Sequence, residues 1–225
     1  MLKNISNLGD AALYCDFGIQ VNKATNLEVI KYFNTIREKK IKGINNLTPS
    51  YNKLIISFDL RVTNFSEIKN KIENLDTTIE QNKNNKKIEV PVCCDEYFAL
   101  DKSRLEKKLN LSYQEILTKF FNKDYFCYMT GFIAGMPFLG DIDENLRTQR
   151  LETPRVKVPR GSVGITEQFA NIYTFDSPGG WNVIGNTPLK VFDDNKERDP
   201  NLINPGDTIV FKKISRQEYE SSNDK

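Results

Sequence analysis

The sequence predicts an α+β protein. A small ferredoxin-like α/β domain spans residues 1–86 and a compact β-rich domain spans 87–225. Three observations predict it. Residues 1–86 read in the order strand, helix, strand, strand, helix, which suits one sheet covered by two helices. Gln81 to Lys87 contains no apolar residue, as a boundary should. The stretch Tyr128 to Val191 holds eight of the twelve glycines, five of the nine prolines and the only tryptophan. Interleaved with short apolar runs, that punctuation means short strands and tight turns, the pattern of a compact β-barrel or sandwich.

In the first domain a turn at Asn7–Asp10 leads into a strand over Ala11–Phe17. A helix begins near Thr25 or Asn26, with Leu27, Val29, Ile30, Phe33 and Ile36 as its apolar face and Gly43 as its C-cap. Ile44–Tyr51 reads as a strand entering a turn, and Lys53–Asp59 as a strand. A second helix starts at Asn64 or Ser66, with Glu67 in its first turn, and buries Phe65, Ile68, Ile72 and Leu75.

The second domain opens with a strand over Ile88–Cys93. Helices follow over Asp101–Leu109 and Ser112–Phe120, the latter announced by the Ser112/Glu115 capping-box pattern. The glycine-rich segment comes next. A last strand, Asp207–Phe211, follows the turn Asn204–Gly206, and Ser215–Lys225 reads as a frayed polar tail.

Composition removes several function classes. With 39% hydrophobic residues the chain can build a core. Its 32 basic and 30 acidic residues leave a net charge of only +2, so no nucleic-acid footprint is expected. No apolar run is long enough to cross a membrane, and residues 1–6 lack the apolar core of a signal peptide. Cys15, Cys93, Cys94 and Cys127 show no CxxC spacing, which together with these features points to the cytoplasm. Histidine is absent, which removes His-based metal sites, Ser-His-Asp triads and Cys-His dyads.

The residues suited to chemistry lie in the glycine-rich stretch. If Arg155–Val158 is a strand, Arg155 and Lys157 share one face while Val156 and Val158 take the other. A guanidinium beside an ammonium suits a carboxylate or phosphate, although an exposed strand face has the same pattern. Arg160–Gly164 offers a backbone nest for an anion through Gly161, Ser162 and Gly164, without P-loop spacing. Phe132 and Met136 lie in a loop whose glycines would let backbone approach a ligand. Ser177–Trp181 would form a second loop, with Trp181 as its wall or as core. Asp141, Asp143 and Glu144 could hold Mg²⁺ or be solvated, and no resident metal is expected.

The ordered set Gly9-Asp10-Ala11-Ala12-Leu13, Gly131-Phe132, Gly135–Gly140, Thr153-Pro154-Arg155, Val158–Ile165, Ile172-Tyr173, Ser177–Trp181, Ile184–Leu189 and Pro205-Gly206-Asp207 resembles the family of 5-oxoprolinase B-type subunits. That family is also described as allophanate hydrolase subunit 1 and as the sporulation-kinase-inhibitor type. It is related to subdomains C and D of the carboxyltransferase domain of urea carboxylase. The resemblance implies a small N-terminal α/β domain followed by a cyclophilin-like β-barrel. It also implies partnership with the C-type 5-oxoprolinase subunit, which is a homologous barrel, and with the A-type one. Such a complex would hydrolyse the lactam 5-oxo-L-proline to L-glutamate using ATP and Mg at the level of the complex, with no cofactor assigned to this chain alone. Arg155 would hold the substrate carboxylate, and its replacement by Ala would abolish activity without loss of stability. The alternatives are a non-catalytic module binding a histidine kinase, or one component of an amidohydrolase acting on allophanate or another urea derivative. The chain departs from the family pattern at four positions. Phe120 stands where a histidine is usual, Ala134 and Met136 replace a Pro and a Phe, and Phe169 replaces an amide side chain.

Overall fold

A strand too short for periodicity to register completes the first sheet. The computed structural model describes residues 2–77 and 85–223, which fall into two compact units, Met1–Asn84 and Asn85–Lys225. The first contains β1 (Asn4–Asn7), β2 (Ala12–Asp16), α1 (Lys23–Lys39), β3 (Ile44–Pro49), β4 (Lys53–Phe58) and α2 (Phe65–Glu73). Its strand order is β1-β2-β4-β3, antiparallel throughout. The split β2-α1-β3 crossover with β4 between its strands is the ferredoxin-like arrangement, and β1 fills the edge beside β2. Leu13, Cys15, Leu54, Ile56 and Phe58 alternate toward the helices and are buried with Val29, Ile36, Ile68 and Ile72.

Two expectations for α1 are corrected. Leu27 is 37% exposed, and the buried neighbour is Asn26, whose amide donates to the Ser50 and Tyr51 carbonyls at 3.0 and 2.8 Å. A polar residue thus occupies the core face because its amide donates to two backbone carbonyls there. The helix ends at Lys40 in the left-handed conformation (φ 45°), not at Gly43, which serves the turn into β3. At the other end Asn22 caps the Thr25 N–H, and Asn64 caps α2 in the same way.

The second unit contains β5 (Lys87–Cys93), α3 (Lys102–Leu109), α4 (Tyr113–Phe121), β6 (Asp124–Thr130), β7 (Pro137–Gly140), a 3-10 turn at Glu144–Leu146, β8 (Arg155–Val158), β9 (Ser162–Thr166), β10 (Phe169–Ile172), β11 (Ser177–Gly179), β12 (Asn182–Asn186), β13 (Thr208–Ile214) and α5 (Arg216–Asn223). Seven strands close into a barrel in the order β10-β7-β6-β13-β5-β12-β9, while β8 and β11 form a separate two-stranded sheet. Only β13 and β5 pair in parallel within the barrel, with Phe211 opposite Val90. Val90, Tyr125, Val163, Ile172, Ile184 and Phe211 fill the barrel, and Ile116, Leu117 and Phe120 of α4 belong to the same core. The Ser112/Glu115 capping box is formed. The chain is therefore α+β, with a closed barrel as its second unit. Of the predicted boundary segment, 81–84 lie outside the described residues and Lys87 already belongs to β5.

The tail is not frayed through residue 222. Ser215 and Glu218 form a reciprocal cap that starts α5, with Ser215 N to Glu218 Oε2 at 2.7 Å and Glu218 N to Ser215 Oγ at 3.2 Å. Tyr219 donates its hydroxyl to Asn186 Oδ1 at 2.8 Å and packs on Phe98 with ring centroids 4.4 Å apart. Arg216 lies over Tyr97 and Phe98. Among the described residues no helix is long and apolar enough to cross a membrane.

Candidate functional site

β10 has two faces, and the candidate site is on the one turned away from the barrel interior. Ala170 and Ile172 enter the barrel core, so Asn171 and Tyr173 take the opposite side by strand alternation. There Tyr173 is buried with Met136, Val158 and Val183 in a small separate cluster. Two glycines make room for this arrangement. A Cβ at Gly164 would lie 2.7 Å from Asn171 Oδ1 and 3.0 Å from Trp181 Cβ, while one at Gly179 would lie 2.2 Å from the Tyr173 hydroxyl.

Arg155 stands opposite Gly179 in the β8–β11 register. Its Nη2 donates to Asp101 Oδ1 at 2.7 Å, and Asp101, only 4% exposed, accepts the Val183 N–H on its other oxygen at 2.7 Å. Asp101 sits at the N-cap position of α3 but makes no cap bond there, because both oxygens are taken by these partners. The guanidinium is thereby fixed by one nitrogen. Among the described residues its Nη1 is buried without a hydrogen-bond partner, and so are Asn171 Nδ2 and Ser177 Oγ. These three atoms belong to β8, β10 and β11, the strands around Tyr173. Leaving a buried polar group unmet costs about 1–3 kcal/mol, and native structures rarely tolerate it without a role or a missing partner.

Burial pushes the Tyr173 hydroxyl above its ordinary range, against the opposing influence of Asn171, the Trp181 backbone and the Arg155 charge. It therefore stays protonated at neutral pH. The site thus offers guanidinium N–H, amide N–H and two hydroxyls, a donor-rich set matched to an acceptor-rich ligand such as a carboxylate. All four cysteines are buried free thiols, and burial pushes Cys15 and Cys94 up to about 12.

The structure gathers some of the predicted residues and separates others. Arg155, Gly164 and Met136 surround Tyr173, whereas Phe132 is 71% exposed at a loop tip with φ 69°. Arg155 and Lys157 do not share an anion grip: Lys157 is exposed and its ammonium is 2.7 Å from Asp176 Oδ2. The two valines do not share an environment either, since Val156 is 89% exposed and Val158 is buried. The nest expectation is also corrected. Arg160 N donates to Asp176 Oδ1, Gly161 N to the Tyr173 carbonyl, Ser162 N to the Pro159 carbonyl and Gly164 N to Asn171 Oδ1. None of these N–H groups is left for an anion. Gly161 has φ 80° and lies against the Thr187 carbonyl, and Ser162 is buried in β9, so both positions serve the turn.

Trp181 is half-buried, edge-on to Phe138 at 5.5 Å. Asp141, Asp143 and Glu144 do not form a metal site, and no three ligating side chains among the described residues do. Asp141 accepts from Tyr128 and Gln168, both at 3.1 Å, and Asp143 caps the 3-10 turn. Phe120, the residue at the usual histidine position, packs on Tyr125 and Phe211 in the barrel core. Phe169 meets Tyr128 edge-on, and the exposed Ala134 accepts the Thr174 hydroxyl on its carbonyl. Sequence reasoning does not find Asp101, Asn171, Tyr173 or Ser177 as site residues. Asp101 reads only as a helix start, Ser177 only as the opening of a glycine loop and Tyr173 only as part of a family motif, and nothing local marks Asn171.

Comparison with known proteins bears on this geometry. A family described as "Carboxyltransferase domain, subdomain C and D" matches residues 3–203. The chain is 31% identical over 229 residues to the 5-oxoprolinase B-type subunit of Bacillus subtilis, covering 96% of this chain and 95% of that one. It is 43% identical over 124 residues to the Haemophilus influenzae protein of the same name, covering 55% of this chain and 58% of that one. The crystal structure of TTHA0988 superposes with a TM-score of 0.82 at 26% identity, covering 92% of this chain and 40% of that longer chain.

Proposed function

The chain belongs to the carboxyltransferase domain family, subdomain C and D, and we propose that it is the B-type subunit of an ATP-dependent 5-oxoprolinase, holding the substrate carboxylate at Arg155. One observation carries the residue assignment: Arg155 is anchored to Asp101 through Nη2 while its buried Nη1 has no partner among the described residues. A carboxylate at Nη1 would satisfy it, with Tyr173 and Ser177 as neighbouring hydroxyl donors. Fixing the substrate through a group remote from the scissile bond is how binding energy is converted into orientation.

The proposed reaction opens a lactam, a resonance-stabilised amide. Transfer of the ATP γ-phosphoryl group to the lactam oxygen would turn it into a leaving group. Water would then add at that carbon and the C–N bond would break, releasing the amine and leaving an acyl phosphate, which a second water would hydrolyse to the carboxylate of glutamate and free phosphate. Nothing among the described residues of this chain singles out a site for ATP with Mg²⁺. They hold no metal cluster, and the N–H groups of Arg160, Gly161, Ser162 and Gly164 are already used. No step through the nucleotide is therefore assigned to this chain.

Phosphate release and glutamate formation from ATP and 5-oxoproline test the reading, with this chain and both partners compared against each omission. Turnover that requires all three is expected. An assembled wild-type complex that makes no glutamate would mean another substrate, and normal turnover by an assembled Arg155→Ala complex would remove Arg155 from the site.

A further inference from the structure

In the N-terminal unit, the C-terminal half of α1 and β3 enclose a groove of about 430 Å³. Its floor is apolar, made by Phe33, Ile36, Ile41, Ile44 and Leu47. Its rim carries charge of one sign. Arg37 and Lys40 line it, and Lys39 and Lys42 adjoin them in the sequence, all four exposed. Glu38 is the one carboxylate in that run, and none of the four cations forms an ion pair among the described residues. Among the described residues Arg37 reaches Asn34 Oδ1, at 3.3 Å, and the Phe33 ring. Cations near a helix C-terminus complement its dipole, but that accounts neither for Lys42, beyond the helix, nor for the apolar floor between them.

We propose that this groove is a docking site for an acidic amphipathic helix of a partner protein. Charge complementarity chooses the occupant: apolar anchors fill the floor while carboxylates meet Arg37, Lys40 and Lys42. Two features choose side-chain recognition over an added strand. β3 is an edge strand whose one partner is β4, yet it carries a bulge between Ile44 and Asn46 and ends in Pro49, both of which spoil a continuous backbone ladder. Concavity separates a protein helix from a lipid surface. Ile36 is 1% exposed and Phe33, Ile41, Ile44 and Leu47 are half-buried, whereas membrane insertion needs apolar side chains that protrude. This surface is independent of the Arg155 site, and the proposal stands whether or not the 5-oxoprolinase reading does.

The test uses the full chain and a fluorescent peptide of about 18 residues, with Leu at i, i+3, i+4 and i+7 and Glu on the remaining face. Its Lys-for-Glu counterpart and vesicles of mixed zwitterionic and anionic phospholipid serve as comparators. The acidic peptide is expected to bind with a Kd on the order of 10 μM, with amide shifts confined to residues 33–47. Arg37→Glu/Lys40→Glu should weaken it about tenfold or more, as should raising salt from about 50 to about 500 mM. Both side chains are exposed, so circular dichroism of the variant should match the parent. No binding of the acidic peptide, equal binding of the basic one, binding unchanged by the double variant, or binding to vesicles in preference to peptide would each overturn the proposal.

Discussion

Asp101 binds two elements at once: one carboxylate oxygen takes Arg155 Nη2 from β8 and the other takes the Val183 N–H from β12. The buried carboxylate therefore ties the two-stranded β8–β11 sheet to the barrel wall and sets the direction of the guanidinium. This changes what replacing Arg155 should do.

Arg155→Ala leaves Asp101 buried and without its cation, so it should lower stability by about 1–3 kcal/mol rather than leave it untouched. In the assembled complex kcat/KM should fall on the order of 10²-fold. Arg155→Lys keeps the charge without the fork and should fall between. Urea midpoints and steady-state kinetics on the same preparations check both parts. A fully stable Arg155→Ala chain would mean that Asp101 does not depend on it.

Ser177→Ala removes a buried hydroxyl that has no partner among the described residues. Stability should be unchanged or rise by up to about 1 kcal/mol, since nothing is broken and an unmet group is lost. If that hydroxyl meets the substrate, KM for 5-oxoproline should nevertheless rise. A large loss of stability would show that the hydroxyl already has an internal acceptor.

Gly161 and Gly9 both adopt positive φ, at 80° and 61°, but only Gly161 is crowded. Gly9→Ala should cost about 1–2 kcal/mol for the left-handed backbone alone. Gly161→Ala should cost clearly more, because its Cβ would lie 2.4 Å from the Thr187 carbonyl oxygen. Equal losses in thermal midpoint would remove the steric argument.

Tyr219→Phe deletes the bond to Asn186 and should cost about 0.5–1.5 kcal/mol. Tyr219→Ala should cost more, because the Phe98 contact goes too. Denaturant midpoints decide it: two neutral substitutions would mean that α5 contributes nothing to the barrel.

Stability should decline in base. Burial holds the Cys15 and Cys94 thiols neutral up to about pH 12, while the unfolded chain ionises them near 9. The contribution of those neutral thiols is intact below about pH 9 and is lost as pH rises from there toward 12. The same burial should keep all four cysteines unreactive to a thiol reagent until urea is added. A urea midpoint flat from about pH 8 to about pH 11 would count against the linkage.

Much of the first unit is legible in local pattern: the apolar alternation of Lys53–Asp59, the periodicity of α1 and α2, and the Asn64 cap. In the second unit the Ser112 cap is as plain. Those signals act within a few residues, so the chain carries them directly. It carries the Ser215/Glu218 cap as well, although a polar composition hides the helix behind it. Strand β1 escapes because four residues with one buried side chain, Ile5, are too short for periodicity to register. The α+β class, most of the elements, the exclusion of histidine chemistry and the ordered motifs of a family therefore follow from residue order. Which side chains meet does not, and the folded chain settles it. Arg155 finds Asp101 instead of sharing a ligand with Lys157, and the glycine-turn amides are consumed by Tyr173, Pro159, Asp176 and Asn171. A buried charge or N–H takes whatever partner folding brings within about 3 Å. Arg155 and Asp101 are 54 residues apart, and their pairing leaves no mark in the local sequence.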